Sequence, residues 1–227
     1  MPHRRATRLR WSRLDTAIAV NVVQSGPFAG MQLGSATTGS DIPKRLGPYE
    51  AELHDLIASW STYDTILDVG CGEGWYVVGL ARRMPGAKVV GFDISPEAQR
   101  ACRTTAEMND VSIEVRGEAT PAVLGELVSG RTLLIVDAEG AEVSLLDPVA
   151  APALADADLL VELHDFLVPG ATDAVVGRFP ERSPVFIEQR PRDPAYYPLL
   201  AHVATKDRAR ALDESRPASQ RWVWLPA

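Results

Sequence analysis

The sequence has few cysteines and no long apolar runs. The two cysteines, Cys71 and Cys102, have a spacing that fits neither a disulfide framework nor a metal-binding cysteine motif. No apolar run approaches the roughly 20 residues that a transmembrane helix needs. From these shortages we expect a reduced, cytoplasmic protein without a membrane partner.

Positive charge is also in short supply. The chain has 23 lysines and arginines against 30 aspartates and glutamates, which gives a formal net charge of −7. This excess would repel a polyanion, so we expect no nucleic-acid partner. Residues 1–23 are basic and then apolar, but Asp15 and Asn21 interrupt the apolar part and no convincing cleavage site follows. We interpret this segment as a tail and not as a cleaved leader.

From residue 65 onward, short apolar segments alternate with segments of helical pattern. The segments TILDV, AKVVGFD, VSIEV, RTLLIVD and ADLLVELHD predict five strands, and helices are predicted over residues 74–84, 96–109, 120–128 and 171–178. This alternation indicates βαβ units and a parallel sheet that is covered on both faces. The last two strand candidates, PVFIE and RWVWLP, are separated by a Pro-rich segment without a strong helix, so we expect an antiparallel hairpin with a long connection.

The region before residue 65 has a different pattern. Residues 16–34 alternate around the turn SGP and predict a strand pair. Residues 35–47 have the composition of a loop. Residues 47–60 predict an amphipathic helix with Leu53, Leu56, Ile57 and Trp60 on one face. We therefore divide the chain into an N-terminal tail and cap, residues 1–45, and a Rossmann-like catalytic domain, residues 46–227.

The most informative motif is LDVGCGEGWY, at the turn from the first predicted strand into the first helix. Gly70, Gly72 and Gly74 have the spacing G-x-G-x-G, which differs from the dinucleotide pattern G-x-G-x-x-G. Glycines at this turn let the backbone approach a ligand, and the helix N-terminus offers free N–H donors. The carboxylate of Asp68 would repel a pyrophosphate, but it would suit a ligand that carries a cationic amino acid group.

Asp93 adds a second constraint on the ligand. It ends the second strand, 23 residues after Gly70, where an acid can hydrogen-bond both hydroxyls of a ribose. A ligand that has a ribose and an ammonium group but no phosphate is S-adenosylmethionine. We therefore expect this cofactor, with S-adenosylhomocysteine as the product, and the same features disfavour a nicotinamide oxidoreductase.

The segments ILDVGCGEG and VVGFDIS resemble the first two motifs of the class I S-adenosylmethionine-dependent methyltransferases. The resemblance covers residues 46–227 as a fold. It implies an α/β, doubly wound, mostly parallel seven-stranded sheet of order 3-2-1-4-5-7-6 with an antiparallel last strand. It also implies that the methionine part, the ribose and the adenine are held in turn by Asp68, Gly70, Cys71, Gly72, Asp93, Ile94, Glu118 and Ala119. At the position of Glu118 the family more often has an aspartate.

Acidic residues follow the fourth and fifth predicted strands. The fourth strand ends in VDAEGAE and the fifth in VELHD, and both ends lie at the edge of the sheet where open α/β folds bind ligands. Alternation along a strand gives Asp137 and Glu139 one direction, and Glu162 and His164 likewise share one. We therefore expect the methyl group to be transferred at this edge.

The segments IVDAEGAEVSLL and LLVELHD resemble the FkbM-like branch of the methyltransferases, and so does the upstream GPFAGMQLG…LGPYEAEL. The resemblance implies that Tyr49 and Glu50 close over the cofactor, and that Asp137 contacts it. It also implies O-methylation of a sugar or secondary metabolite in natural product biosynthesis, although Ala138 stands where valine is commoner. We accordingly expect a small-molecule acceptor.

Transfer of a methyl group from a sulfonium to a hydroxyl requires alignment and the removal of a proton. His164 is our first candidate for the general base, because its reference pKa of about 6.5 suits the task. Glu139 is the second candidate, and Asp137 is expected to contact the cofactor or the substrate. Glu162 is expected to orient His164, and Glu142 to face solvent at the start of a helix.

Several alternatives stay open at this point. Asp137, Glu139, Glu162 and His164 could bind a divalent metal such as Mg²⁺, a reading that we do not favour. The acceptor could be the nitrogen of an amine or a peptide. The domain could also bind S-adenosylmethionine without catalysing transfer, and a homodimer is compatible with the sequence.

Overall fold

The computed structural model describes residues 21–34, 41–214, 216 and 220–227. Within these residues, seven strands form one sheet of order β3-β2-β1-β4-β5-β7-β6. The strands are β1 (Thr65–Val69), β2 (Lys88–Phe92), β3 (Glu114–Arg116), β4 (Thr132–Val136), β5 (Ala157–Leu163), β6 (Val185–Glu188) and β7 (Arg221–Leu225). The predicted fold class and strand order are confirmed.

The pairing of the strands also follows the prediction. β1 pairs in parallel with β2 and β4, and β4 pairs in parallel with β5. β7 runs antiparallel between β5 and β6, which is the predicted hairpin. Every residue of β1, β4 and β5 is buried, because helices and loops cover both faces of these central strands.

Eight α-helices lie in the described residues. They are α1 (Asp41–Leu46), α2 (His54–Ser59), α3 (Trp75–Arg83), α4 (Pro96–Met108), α5 (Pro121–Leu127), α6 (Glu142–Leu145), α7 (Ala171–Gly177) and α8 (Thr205–Ala211). Both α4 and α5 begin with a proline, and the side chains of Ser95 and Thr120 cap them by accepting a backbone N–H. In the part of the chain described here, no helix has the length and apolar character needed to cross a membrane.

The sheet separates two apolar cores. Alternating side chains of each strand point to opposite faces, so Ile66 and Leu133 belong to one core whereas Leu67 and Leu134 belong to the other. The first core also includes residues from the segment 21–34, which crosses the outside of α3. The N-terminal segment therefore shares a core with the sheet.

The predicted N-terminal strand pair is reduced to a single antiparallel bridge between Val22 and Gln32. Residues 16–20 of that prediction lie outside the described residues. Phe28, at the turn, is buried with its ring centroid 5.3 Å from that of Trp75 in an edge-on contact. This aromatic contact attaches the segment to α3, and a backbone hydrogen bond from Gln24 to the carbonyl of Arg45 attaches it to α1.

Two helices were not predicted, and one is shorter than predicted. Residues 41–46, expected as a loop, form α1, and the connection between β6 and β7 contains α8. The two helices lie in a third apolar cluster, where Ile42 and Leu46 share a core with Ala211 and Leu212. The predicted helix over residues 47–60 is a short 3₁₀ helix followed by α2, and its expected apolar positions are buried or partly buried.

Candidate functional site

A cavity of about 570 Å³ opens at the carboxyl ends of β1, β2 and β4. This size falls within the range of small-molecule pockets. The lining includes predicted residues from four loops, namely Gly70, Gly72, Asp93, Ile94, Glu118, Ala119, Asp137 and Glu139. The structure therefore brings together the glycine loop, the acid after β2 and the acids after β4.

The loops after β1 and β4 touch one another. Gly70 has a φ of 87°, and a Cβ placed on it would overlap the carbonyl oxygen of Asp137. The backbone N–H of Asp137 donates to the carbonyl of Val69 at 2.9 Å. Only glycine adopts this backbone conformation at low cost while leaving room for the neighbouring carbonyl. Gly70 thus allows the two loops to pack together, and it also lines the cavity.

Asp93 is held in the cavity lining by two backbone donors. Its Oδ2 accepts the N–H of Gly72 at 3.0 Å, and its Oδ1 accepts the N–H of Ser95 at 2.8 Å. A carboxylate has about four acceptor positions. Two bonds therefore leave acceptor capacity that is directed at the cavity, as binding of a diol requires.

Asp68 lies behind the glycine loop and not in the cavity lining. It is 1% exposed, and its Oδ2 has no hydrogen-bond partner within the described residues. Burial and then the charge of Asp137 raise the pKa of Asp68 well above its usual range. A buried carboxylate oxygen without a donor is a position where a cationic ligand group would be stabilised.

Besides Asp68, three more of the predicted cofactor residues lie away from the cavity lining. Cys71 is buried, and its backbone N–H donates to the carbonyl of Phe92. The neighbouring Cys102 thiol raises the pKa of the Cys71 thiol. Tyr49 packs edge-on against Trp75 with the ring centroids 5.4 Å apart. These residues support the glycine loop from behind.

Glu50 is the third of these residues. Its carboxylate pairs with Arg216, at 2.8 Å from Nη2, and accepts the hydroxyl of Tyr76. Burial, partly offset by the charge of Arg216, raises the pKa of Glu50 to about 7. Because both oxygens of Glu50 have protein partners, this residue is part of a buried charge network, and its contact with the cofactor stays a prediction.

The ends of β4 and β5 form a cluster around one imidazole. His164 is 0% exposed, and its Nδ1 lies 2.6 Å from Oε1 of Glu142. Its Nε2 faces three carboxylate oxygens: Asp137 at 3.6 Å, Glu139 at 3.6 Å and Glu162 at 3.7 Å. The two pairs of residues that sequence alternation predicts at this edge therefore do meet. We call these five residues the acid cluster.

A helix does begin at Glu142, but the predicted exposure of this residue to solvent is wrong. This residue is 0% exposed, and its Oε1 accepts the N–H of Ala138 at 3.3 Å and of Gly140 at 3.1 Å in addition to its contact with His164. The loop can fold back in this way because Glu139 and Gly140 both have positive φ values, 49° and 100°. Burial opposes ionisation of Glu142, but the bonds from His164 and Gly140 outweigh it and lower its pKa.

The structure places His164, the predicted base, away from the cavity lining. Burial would lower the pKa of His164, but the hydrogen bond to Glu142 and the charges of Asp137 and Glu139 outweigh it, so the pKa is raised. The side chain of Glu139 is 73% exposed and lines the cavity. The side chain of His164 is fully buried and does not line it.

Glu142, and not Glu162, orients His164. Glu162 pairs through Oε1 with Arg216 and presents Oε2 to the imidazole at 3.7 Å, beyond hydrogen-bond distance. Burial, together with the charges of Asp137 and Glu50, raises the pKa of Glu162 to about 10. Glu162 is thus a buried acid in a strongly negative environment.

Arg216 links the acid cluster to the N-terminal region and was missed in the sequence. Its guanidinium contacts Glu50, Glu162 and Glu214, and its side chain is 12% exposed. Arg192, in the same connection between β6 and β7, pairs with Glu214 as well. A basic residue in a Pro-rich connection gives no local signal of such burial, because its acidic partners lie up to 166 residues away.

Comparison with known proteins supports the interpretation of the glycine loop. Residues 66–123 match a family model described as a methyltransferase domain. A ribosomal protein L11 methyltransferase from Dechloromonas aromatica is 37% identical over 116 residues, which are 51% of this chain and 35% of that protein. A 4-amino-L-phenylalanine/4-methylamino-L-phenylalanine methyltransferase from Streptomyces pristinaespiralis is 36% identical over 72 residues, which are 32% of this chain and 24% of that protein. The chain thus spans about a third or less of the length of these curated relatives.

Solved structures with a similar fold include the O-methyltransferase TomG from Streptomyces achromogenes in complex with SAM. It is 18% identical, with a TM-score of 0.49, over 79% of this chain and 80% of that chain. The sheet order β3-β2-β1-β4-β5-β7-β6 with antiparallel β7 is that of the methyltransferase Rossmann-like fold. The chain is thus similar to methyltransferases over residues 66–123, the part that contains the glycine loop and Asp93.

Proposed function

We propose that this protein is an S-adenosylmethionine-dependent methyltransferase that methylates an oxygen of a small molecule, such as a sugar or a secondary metabolite. The observation that carries the proposal is the cavity that has the glycine loop and Asp93 at one end and Glu139 at the other. A single cavity therefore offers a nucleoside site beside an exposed carboxylate. This is the arrangement that methyl transfer to a hydroxyl requires.

The residues present fit the cofactor. Asp93 has acceptor capacity left for a ribose diol, and the exposed Ile94 offers an apolar surface for an adenine ring. Asp68, with its unpartnered oxygen behind the glycine loop, would stabilise the positive charge of the methionine part. Glu118 and Ala119 line the cavity on the side of Asp93, and we assign them to the adenine end.

The chemistry asked of the protein is a displacement at a sulfonium that is already activated. The acceptor oxygen forms a bond to the methyl carbon, the bond from carbon to sulfur breaks, and S-adenosylhomocysteine leaves. The proton of the hydroxyl must go to a base, and we assign Glu139 to this role because its carboxylate reaches the cavity. We assign His164 and Asp137 to positioning, because Nε2 of His164 lies 3.6 Å from the carboxylates of both Glu139 and Asp137.

The FkbM-like branch is our proposal for the finer relationship. Its support is the motif DAEGAE, whose two glutamates acquire separate places in the structure: Glu139 lines the cavity, whereas Glu142 is buried against His164. A natural-product acceptor and a cytoplasmic setting belong to the same proposal. Tyr49 and Glu50, in this proposal, act indirectly by supporting the wall of the site.

Methylation of an amine nitrogen is the second candidate. The observation that favours it is the excess of carboxylates in the acid cluster, which would attract a cationic amine to the acceptor end of the cavity. A neutral amine, however, needs no base as strong as an alcohol does. The two candidates therefore differ in how much the reaction depends on Glu139.

The test begins with titration calorimetry of the purified chain with S-adenosylmethionine and, in parallel, with NAD. We expect heat of binding from the first ligand and none from the second; the reverse result would overturn the proposal. Transfer of a labelled methyl group to a panel of sugar alcohols, phenols and primary amines would then identify the acceptor class. Cofactor binding without transfer to any acceptor would instead support a non-catalytic binding domain.

A further inference from the structure

The acid cluster contains a set of donor atoms that face one another. Asp137, Glu162 and His164 each contribute one atom, and these atoms lie within 4.8 Å of one another. They belong to two neighbouring parallel strands, since Asp137 follows β4 directly whereas Glu162 and His164 stand at the end of β5. The backbone of the sheet thus fixes their separation.

Two of these atoms lack the partner that a buried polar atom needs. Nε2 of His164 and Oδ1 of Asp137 are both buried and have no hydrogen-bond partner in the described part of the chain. The separation of 3.6 Å between them is too long for a hydrogen bond. Nearly all buried polar atoms in native structures have a hydrogen-bond partner. Two buried atoms that face each other without such a partner therefore indicate a ligand between them.

The other side of the imidazole has the partner that is typical of a metal ligand. Nδ1 of His164 lies 2.6 Å from the buried Glu142 and can donate its hydrogen to it. Metal-bound histidines almost always donate their second ring N–H to a carboxylate or a carbonyl, which fixes the tautomer. With the hydrogen on Nδ1, the lone pair of Nε2 is directed toward Asp137 and Glu162.

The balance of charge also calls for a cation. Four carboxylates, those of Asp137, Glu139, Glu142 and Glu162, surround a single imidazole. Arg216 contributes one further positive charge, through Glu162. Even with a charged imidazole, the acid cluster keeps an excess of negative charge in a largely buried place, where such an excess is costly.

We propose that Asp137, Glu162 and His164 bind a divalent first-row transition metal ion, Mn²⁺ or Zn²⁺, at the acceptor end of the cavity. One imidazole nitrogen and two carboxylate oxygens form a mixed donor set, whereas Mg²⁺ prefers oxygen ligands and retains several waters. The observed separations of 3.6 to 3.7 Å between Nε2 and the carboxylate oxygens are close to the roughly 3.3 Å between ligands of a tetrahedral ion with bonds near 2.0 Å. Small side-chain movements would complete the site.

The metal ion would be reached from the cavity and would serve its acceptor end. Asp137 lines the cavity, and the exposed Glu139 lies beside it and stays available for the proton. A metal ion bound there would make an acceptor hydroxyl more acidic and would fix its position. Metal binding goes beyond the proposed methyl transfer and does not depend on it, because the three ligands belong to the protein alone.

The experiment is equilibrium dialysis of the full chain, first treated with a chelator, against Mn²⁺, Zn²⁺ or Mg²⁺ alone, followed by elemental analysis. We expect one Mn²⁺ or Zn²⁺ per chain and binding of Mg²⁺ that is weaker by a factor of ten or more. Asp137→Asn and His164→Asn should each abolish this binding. Glu142→Gln should weaken it by about 10- to 100-fold, as is usual for the outer partner of a ligand.

Asp173→Asn is the matched control, since Asp173 is an exposed acid in the first turn of α7, and it should leave metal binding unchanged. As a measurement on the unaltered chain, diamagnetic Zn²⁺ should shift the ring-proton NMR signals of His164 and leave those of His54 nearly unchanged. Lack of binding by the wild type, or binding that survives both Asp137→Asn and His164→Asn, would overturn the proposal. No cofactor is present in these measurements, so their failure is separate from a failure of the methyltransferase proposal.

Discussion

The two ends of the cavity are built in different ways. At the glycine end, the contacts are made by backbone groups: Asp93 is held by the N–H groups of Gly72 and Ser95. At the acid end, the contacts join side chains to one another, Glu142 with His164 and Glu50 with Arg216, and the second pair is 166 residues apart in sequence. The difference indicates that the glycine end depends on local backbone shape, whereas the acid end depends on the packing of the whole domain.

The electrostatic character of the two ends differs as well. The glycine end has one fully buried acid, Asp68, whereas the acids in its cavity lining, Asp93, Glu97 and Glu118, are partly or fully exposed. The acid end has Glu142, Glu162 and His164 fully or nearly fully buried. Substitutions at the glycine end should therefore act on shape and cofactor affinity, and those at the acid end on charge balance and turnover.

The largest effect is expected where the two ends meet. Gly70→Ala would place a Cβ on the carbonyl of Asp137 in a backbone conformation with positive φ. Since the neighbouring atoms are backbone, they cannot move aside cheaply, and we expect a loss of about 4 kcal/mol or more in the free energy of unfolding. Denaturant unfolding followed by fluorescence would measure it.

Gly72→Ala is the control for this prediction. Gly72 also has a positive φ, but a Cβ there would meet nothing within 4 Å. We expect a cost of about 1 kcal/mol from the backbone conformation alone. Equal losses for the two variants would show that contact between the loops contributes nothing.

The second prediction concerns turnover at the acid end. Glu139→Gln removes the proposed base and should lower kcat by about 100- to 10,000-fold for an alcohol acceptor. Affinity for S-adenosylmethionine should stay within a few-fold, because the hydrogen bonds that hold Asp93 and the glycine loop do not involve Glu139. Steady-state kinetics together with calorimetry would separate the two quantities, and unchanged kcat with an amine acceptor would favour N-methylation.

The third prediction concerns the buried charges behind the acid cluster. Arg216→Met would leave Glu50, Glu162 and Glu214 without their shared cation. Removal of one partner from a buried ion pair typically costs about 3–5 kcal/mol of stability. Thermal unfolding would report this loss.

The exposed pair of Arg116 and Glu114 provides a comparison for Arg216. We expect Arg116→Ala to change the melting temperature little, since exposed ion pairs contribute little. A similar, small change for Arg216→Met would mean that the buried carboxylates are neutral in the native protein and do not need the guanidinium.

The smallest effect is expected from Asp93. Asp93→Asn keeps the shape of the side chain and one acceptor oxygen but removes the charge that favours a ribose diol. We expect cofactor affinity to fall by about 10-fold, in line with the loss of one hydrogen bond to a charged group, with kcat at saturation nearly unchanged. Calorimetry would measure the affinity, and an unchanged dissociation constant would contradict the placement of the ribose at Asp93.

The same contrast explains how far the sequence could predict the molecule. The sheet and the glycine loop were predictable because their signals are local: apolar segments of regular spacing, and glycines at fixed offsets from Asp68. The burial of Glu142 could not be predicted, because it depends on a loop that turns back through the positive φ of Glu139. The partner of Glu142 is His164, 22 residues away at the end of β5. The position of Glu142 at the start of a helix, taken alone, suggested that its side chain faces solvent.

The other missed features share this cause. The helices α1 and α8 bury their apolar residues against each other in a third cluster, and neither segment has a convincing helical pattern by itself. Arg216 has the local sequence of a solvent-exposed loop, yet three acids brought together by the fold surround it. Contacts across the whole chain decide such cases, and a window of neighbouring residues does not contain them.

The close contact between Gly70 and the carbonyl of Asp137 has a consequence for how this scaffold can diversify. The loops that carry the two ends of the cavity cannot be moved apart or closer without breaking that contact. A bulkier or smaller acceptor must therefore be accommodated by other loops at this edge of the sheet, such as the loop after β5, where Phe166 and Leu167 are exposed. Selection or engineering for new acceptors should accumulate changes there, while the distance between methyl donor and acceptor stays the same.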